Sequence, residues 1–222
     1  MTNRTLTMPL ADWDDLVGRV ALFAHRNSRD LVPILSCVHL YEAQGRLYAE
    51  ATDRYRLGST VAPATVVVPE GFAALISVES IADLARITKA PARLRDSLSI
   101  TLTSESGNRL RVSIEALPGL GDIVMSLQLV DGDYPSAGKI LHTALTGEPA
   151  VTTSGFNPEF LADYRKVAKR NEAVVISPRG DRPALIRVGD DFIGALVPIR
   201  YTDAPAPERD ALWAHLAPAP TA

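Results

Sequence analysis

The sequence is short of the residues that most often carry chemistry or staple a chain covalently. Its one cysteine, Cys37, sits in the apolar run Pro33–Ile34–Leu35–Ser36–Cys37–Val38. That excludes an intrachain disulfide, and the setting suits a small core residue better than a nucleophile. The four histidines, at 25, 39, 142 and 215, are scattered without metal-ligand spacing. There is no phosphate-cradling Gly-Lys-Ser/Thr loop and no Gly-x-Ser-x-Gly elbow. Asp131 and Asp133 lie in a Gly/Pro-rich turn and read as linker residues rather than a metal pair. No apolar run approaches the roughly 18 residues of a membrane span, and Met1–Met8 lacks the apolar core of a signal peptide. A formal net charge of -3 excludes coating of nucleic acid through overall charge, though not a local basic surface. The expectation is a cytoplasmic protein with no membrane contact, not an enzyme, with no catalytic residue, metal or cofactor.

What the sequence does have is repetition. A short strand, Thr5–Leu10, leads into a helical pattern in which Trp13, Leu16, Val17, Val20 and Ala24 fall three and four apart. Asp12 is the expected N-cap, and the helix is expected to end near Asn27. Three strands follow at Pro33–Glu42, Arg46–Asp53 and Tyr55–Pro63. The order then returns: strand Ala74–Val78, helix Glu79–Ala90 stopped by Pro91, and strands Ser97–Ser104, Arg109–Ala116 and Asp122–Val130. After a turn-rich stretch it appears again, with strand Ala150–Phe156, helix Pro158–Arg170 and strands Ala173–Ser177, Ala184–Val188 and Phe192–Ile199. The chain therefore reads as α+β, three βαβββ units with helices on one face of antiparallel sheets, units that share cores with their neighbours. The expected organisation is a complete two-unit domain over 1–130, a linker over 131–149, a half domain over 150–201 and a Pro/Ala-rich tail over 202–222.

Opposite their apolar stripes the helices carry bases. The first has Arg19 and Arg26, with Arg29 beyond; the second has Arg86 and Lys89, then Arg93; the third has Arg165, Lys166, Lys169 and Arg170. Acids gather in the first turns, where the helix dipole favours them. Dipole complementarity accounts for the acids better than for four bases on one short helix. Helices lying on one side would add these bases into a positive surface suited to phosphate contact without base readout.

The stretch Ala51–Thr52–Asp53–Arg54–Tyr55–Arg56–Leu57 is a strand junction more polar and aromatic than a hairpin requires. It resembles the Ala-Thr-Asp-x-x-Arg-Leu motif of bacterial DNA polymerase sliding clamps (the β subunit). Three further stretches resemble the same family, in the same order: Pro33–Val38, Leu129–Pro135, and Phe156–Leu161 with Leu196–Arg200. The likeness implies the clamp architecture, with helices lining a DNA-sized hole and Arg19, Arg26, Arg29, Arg86, Lys89, Arg93, Arg165, Lys166, Lys169 and Arg170 facing double-stranded DNA. It implies a processivity factor working as a homo-oligomer. It also implies a pocket for short peptides of DNA polymerase and other clamp-binding proteins, with Thr52, Arg54, Tyr55, Arg56 and Leu57 on one wall and Leu196, Pro198, Ile199 and Arg200 on the other. Asp53 would brace an arginine. The chain departs from the family in lacking a first domain and half of the third, and in having His142 where proline usually follows Leu141. Those departures keep a second reading open, a clamp-derived peptide-binding adaptor or competitor that does not encircle DNA. Independently of which reading holds, Leu212 and Trp213 in the tail could fold back and fill the pocket as a tethered mimic of a partner.

Overall fold

The computed structural model describes residues 4–25, 32–88, 97–115, 122–135, 137–147, 154–180 and 182–199. The first strand, β1 (Thr5–Pro9), buries Leu6 and Met8 and exposes Thr5 and Thr7, the period of two of a half-buried strand. Helix α1 (Leu10–Ala21) follows at once. It starts before the expected Asp12 cap because its first amide, that of Leu10, donates to Leu98 O at 2.8 Å. A backbone carbonyl from the second unit does the work of a cap, and Asp12 falls in the first turn. The helix also ends earlier than expected, at Ala21.

Pro33–Ser36 forms a 3-10 turn, so the strand expected from Pro33 begins only at Cys37. Strands β2 (Cys37–Ala43), β3 (Arg46–Thr52), β4 (Arg56–Val61) and β5 (Ala73–Ser77) follow. Helix α2 (Val78–Ile87) is capped by Ser77, whose side chain accepts from the Ser80 amide. The second unit closes with β6 (Ser99–Glu105), β7 (Arg109–Ile114) and β8 (Ile123–Gln128).

These two units interlock. β1 of the first pairs with β6 of the second, and β5 of the second pairs with β2 of the first. Each unit gives its first strand to the other, so neither closes its core alone. The third unit comprises α4 (Pro158–Val167), β9 (Val174–Arg179), β10 (Arg182–Val188) and β11 (Phe192–Leu196). Rather than standing apart as a half domain, it extends the first unit's sheet through an antiparallel β4–β11 pair, giving the order β5-β2-β3-β4-β11-β10-β9. The other sheet is β1-β6-β7-β8.

The stretch 131–149 is not simply a linker, because it contains helix α3 (Ala137–Thr146). Ala137, Leu141 and Ala144 are buried at helical spacing, and with His142 in place of proline nothing interrupts the helix after Leu141. Ala137 and Leu141 pack on Leu57 and Ala195, over the seam between β4 and β11.

On the other side of that seam Gly58 and Gly194 stand directly opposite one another. Their missing side chains make room for Phe23, Tyr164 and Phe192, with ring centroids of Phe23 and Tyr164 4.7 Å apart. The Tyr164 hydroxyl donates across the seam, lying 2.7 Å from Ala195 O and 3.0 Å from Leu57 O. A Cβ on Gly194 would come within 2.6 Å of both Leu57 O and a Tyr164 ring carbon, and one on Gly58 within 2.5 Å of Phe23. Gly194→Ala should therefore lower stability by about 1–3 kcal/mol, and Gly58→Ala, which meets the buried rings of Phe23 and Phe192, by a similar amount. Urea midpoints at constant m check this; an unchanged midpoint for Gly194→Ala contradicts it.

Candidate functional site

The β3–β4 junction is a turn built by its own side chains. Arg54 has φ 81, a left-handed conformation unusual for any residue other than glycine. Asp53 Oδ1 accepts from the amides of Tyr55 and Arg56, each at 3.0 Å, and Thr52 Oγ1 accepts from Arg54 N at 3.1 Å. The polar residues that looked excessive for a hairpin satisfy its backbone groups and hold the strained residue. The Tyr134 hydroxyl accepts from Thr52 N at 3.0 Å and ties the following connection to the same turn.

The turn sends alternate side chains in opposite directions. Arg56 goes inward and is 4% exposed. Its Nε lies 2.8 Å from Asp53 Oδ2, its guanidinium also pairs with Asp163 on α4, and its plane sits 4.7 Å over Phe160 and 5.7 Å over Phe23. Burial alone would lower its pKa, but the two carboxylates outweigh that and raise it. Tyr55 goes outward, 61% exposed, with its ring stacked at 6.3 Å from Phe160.

The two expected walls do meet. Arg56 pairs with Leu196 in register, and Val197 N donates to Tyr55 O at 2.8 Å. Their surface differs from the expected one. Thr52, Leu57 and Leu196 are buried, Leu57 beneath α3, so none of them lines an open pocket. Arg56 is not a rim residue, because its charge is matched inside the protein. The exposed members are Arg54, Tyr55 and Ile199, with Pro198 half-buried. Two residues join them that sequence reasoning left out of the site. Val197 is exposed because strand alternation turns Leu196 in and Val197 out, a signal the period of two already carried. Phe160 lies in the Phe156–Leu161 stretch that resembles the clamp family, but nothing in that stretch pointed it toward Tyr55. Arg200 lies outside the described residues.

The basic helix faces are only partly as expected. Arg19 is 6% exposed, with its guanidinium 2.8 Å from Asp191 and 3.7 Å from Asp15. It is buried, not DNA-facing, because the third unit brings the β10–β11 turn over the polar side of α1. Lys169 reaches the same two acids, at 3.0 Å from Asp15 and 3.1 Å from Asp191. Arg86 is exposed beside Asp83, Lys166 pairs with Asp163 at 2.6 Å, and Arg165 and Arg170 are exposed. Arg26, Arg29, Lys89 and Arg93 lie outside the described residues. Among the described residues no group of three His, Cys, Asp or Glu side chains is placed to hold a metal, and no helix is long and apolar enough to cross a membrane.

Burial acts to raise the carboxyl pKa of Asp163, but Lys166 and Arg56 outweigh it and hold it below the ordinary value; Arg19 and Lys169 do the same for Asp191. A depressed carboxylate stabilises the fold fully above its unfolded pKa, about 4, and that contribution is lost as pH falls through the folded value. Stability should therefore decline below about pH 4. Asp163→Asn should cost about 1–3 kcal/mol at pH 7, because it removes one of the two carboxylates that meet Arg56 and leaves Asp53, and should flatten the acid limb. Denaturant titrations across pH test both; an acid limb unaltered by Asp163→Asn contradicts the assignment.

The sequence matches no protein-family profile and no curated protein. Solved structures do match. A Pseudomonas aeruginosa DNA polymerase sliding clamp, determined with a ligand, superposes with a TM-score of 0.69 at 16% identity, over 89% of this chain and 66% of the clamp. The same organism's clamp bound to griselimycin gives 0.67 at 15% identity, over 89% and 65%. The Thermotoga maritima DNA polymerase III β subunit gives 0.66 at 16% identity, over 90% and 66%. The chain spans about two thirds of the length of these clamps, and it has the fold of the bacterial sliding clamps.

Proposed function

We propose that this protein is a sliding-clamp-like DNA polymerase processivity factor, a homo-oligomer that holds duplex DNA without sequence preference and docks partner peptides. The observation that carries the reading is the clamp fold over 89% of the chain, with the site above at its β4–β11 seam. Arg86, Arg165, Lys166 and Arg170 supply exposed basic side chains at or just past helix C-termini, Arg86 and Lys166 each beside an aspartate, and exposed bases of this kind suit phosphate contact. Tyr55, Phe160, Val197 and Ile199 form an apolar patch next to Arg54, a surface that fits a short peptide with apolar anchors and an acidic flank.

One observation favours the second reading, a peptide-binding adaptor without a ring. Arg19 and Lys169 are matched by Asp15 and Asp191, which takes two of the expected cations out of the DNA surface. Retention on nicked circular plasmid separates the two. A clamp stays on the circle and leaves when the circle is cut, and Arg86→Glu with Arg165→Glu and Arg170→Glu reduces the salt dependence of binding by about 0.9 per lost phosphate contact. Peptide capture with no retention on circles would establish the adaptor instead. For the patch, Tyr55→Ala and Ile199→Asp should each weaken binding of such a peptide by about tenfold or more. Affinity unchanged in both variants would remove the patch from the site.

A further inference from the structure

We propose that the cleft between the 129–134 connection and the sheet beneath it holds an arginine side chain from an extended segment of a partner protein. After β8 the chain crosses the face of the seven-stranded sheet that α1 leaves uncovered. Val130 N donates to Leu75 O on β5 at 3.0 Å, and Thr52 N on β3 donates to the Tyr134 hydroxyl at 3.0 Å. Between these two anchors lies a cleft of about 360 Å³, with His39, Ala73, Leu75, Asp131, Asp133 and Tyr134 in its lining. That is room enough for a long side chain. The cleft is separate from the Tyr55 patch, none of whose residues lines it.

Its chemistry selects a cation. No lysine or arginine lines the cleft. Asp131 and Asp133 stand exposed at its rim, and the buried Glu50 lies behind His39, with Oε1 3.0 Å from His39 Nδ1. Asp131 also accepts from the Asn108 amide group, whereas Asp133 has no partner among the described residues. Aromatic rings supply the rest. The His39 ring is 5.0 Å from Tyr134 and 4.9 Å from Tyr41, which stacks in turn at 5.5 Å on Tyr48. A planar guanidinium lies well on ring faces while pairing with carboxylates. Arg56 is held in that way within this protein, by two carboxylates and two rings. Arg46, on the same face beyond Tyr48, donates instead to Ala62 O at 2.7 Å and leaves the cleft to another base.

The backbone beside the cleft points to an extended chain as the carrier. Glu42 N donates to Phe72 O at 2.8 Å, so by the alternation of an antiparallel pair Phe72, Ala74 and Ile76 bond to β2. The N–H and C=O of Ala73 therefore point away from β2, at the outer edge of β5, and among the described residues nothing pairs with them. That edge, Ala73–Ser77, carries no charge or proline to deter pairing. A strand laid along it gains main-chain hydrogen bonds and turns alternate side chains toward the cleft. The inference uses neither DNA binding nor the Tyr55 patch, and its failure leaves both untouched.

Fluorescence anisotropy with the full chain and a labelled pentapeptide, Ser-Thr-Arg-Thr-Ser, tests it, with citrulline for arginine as the neutral isostere. The arginine peptide should bind, and the citrulline peptide should bind about tenfold more weakly. Asp131→Asn combined with Asp133→Asn, on the exposed rim, should weaken the arginine peptide by about fivefold and spare the citrulline peptide. Ala73→Pro removes an outward N–H and no ladder bond, and should weaken both peptides. N-acetylarginine amide, the cation without the extended chain, should bind about tenfold more weakly than the peptide. Amide chemical shifts should move most at His39, Ala73 and Tyr134. No binding, shifts centred on Tyr55 instead, or an affinity indifferent to citrulline and to the paired Asn substitutions overturns the proposal. N-acetylarginine amide binding as tightly as the peptide overturns the extended partner as occupant.

Discussion

Arg56 is the side chain on which the arrangement of the third unit against the first depends. It lies at the start of β4, at the end of a strained turn, and its guanidinium meets Asp53 from that turn and Asp163 from α4 while resting on Phe160 and Phe23. Burying a guanidinium is costly unless its donors are met, so its contacts fix the turn, the helix and the seam together. The Tyr164 hydroxyl and the paired glycines then set how closely the strands and rings approach. The same geometry forces Tyr55 out of the protein. The exposed patch is a consequence of how the seam is closed.

This closure also redistributes charge. The turn between β10 and β11 carries Asp191 over α1, where it meets Arg19 and Lys169. On an isolated helix these bases would face solvent; in the assembled fold they join first and third units. What is left for a polyanion lies on α4, in Arg165 and Lys166, just past it in Arg170, and on α2 in Arg86. The proposed DNA surface is therefore narrower than the helix faces suggest.

The first two units and most strand cores were legible in the sequence, because Leu110, Val112 and Ile114, and Ile100 and Leu102, alternate as half-buried strands must. Of the third unit's expected first strand, Ala150–Phe156, residues 150–153 lie outside the described residues and Gly155 makes an isolated bridge with Ile199. The clamp likeness was legible in the Ala51–Leu57 stretch. Misread features share a cause: each depends on a residue distant in sequence. The start of α1 depends on Leu98 O, the burial of Arg19 on Asp191, and the inward turn of Arg56 on Asp163. Helix α3 and Val197 were exceptions: Ala137, Leu141 and Ala144 already had helical spacing, obscured by the Gly/Pro-rich residues before them, and strand alternation already turned Val197 outward.

The central claim is that three units joined at this seam serve as part of a clamp around DNA. Images of the purified protein on duplex DNA by electron microscopy test it most directly. The account predicts closed rings with the duplex passing through the hole, and the helices rather than the sheet faces turned toward it. Compact particles lying beside the duplex, or no particles on it at all, would contradict the claim.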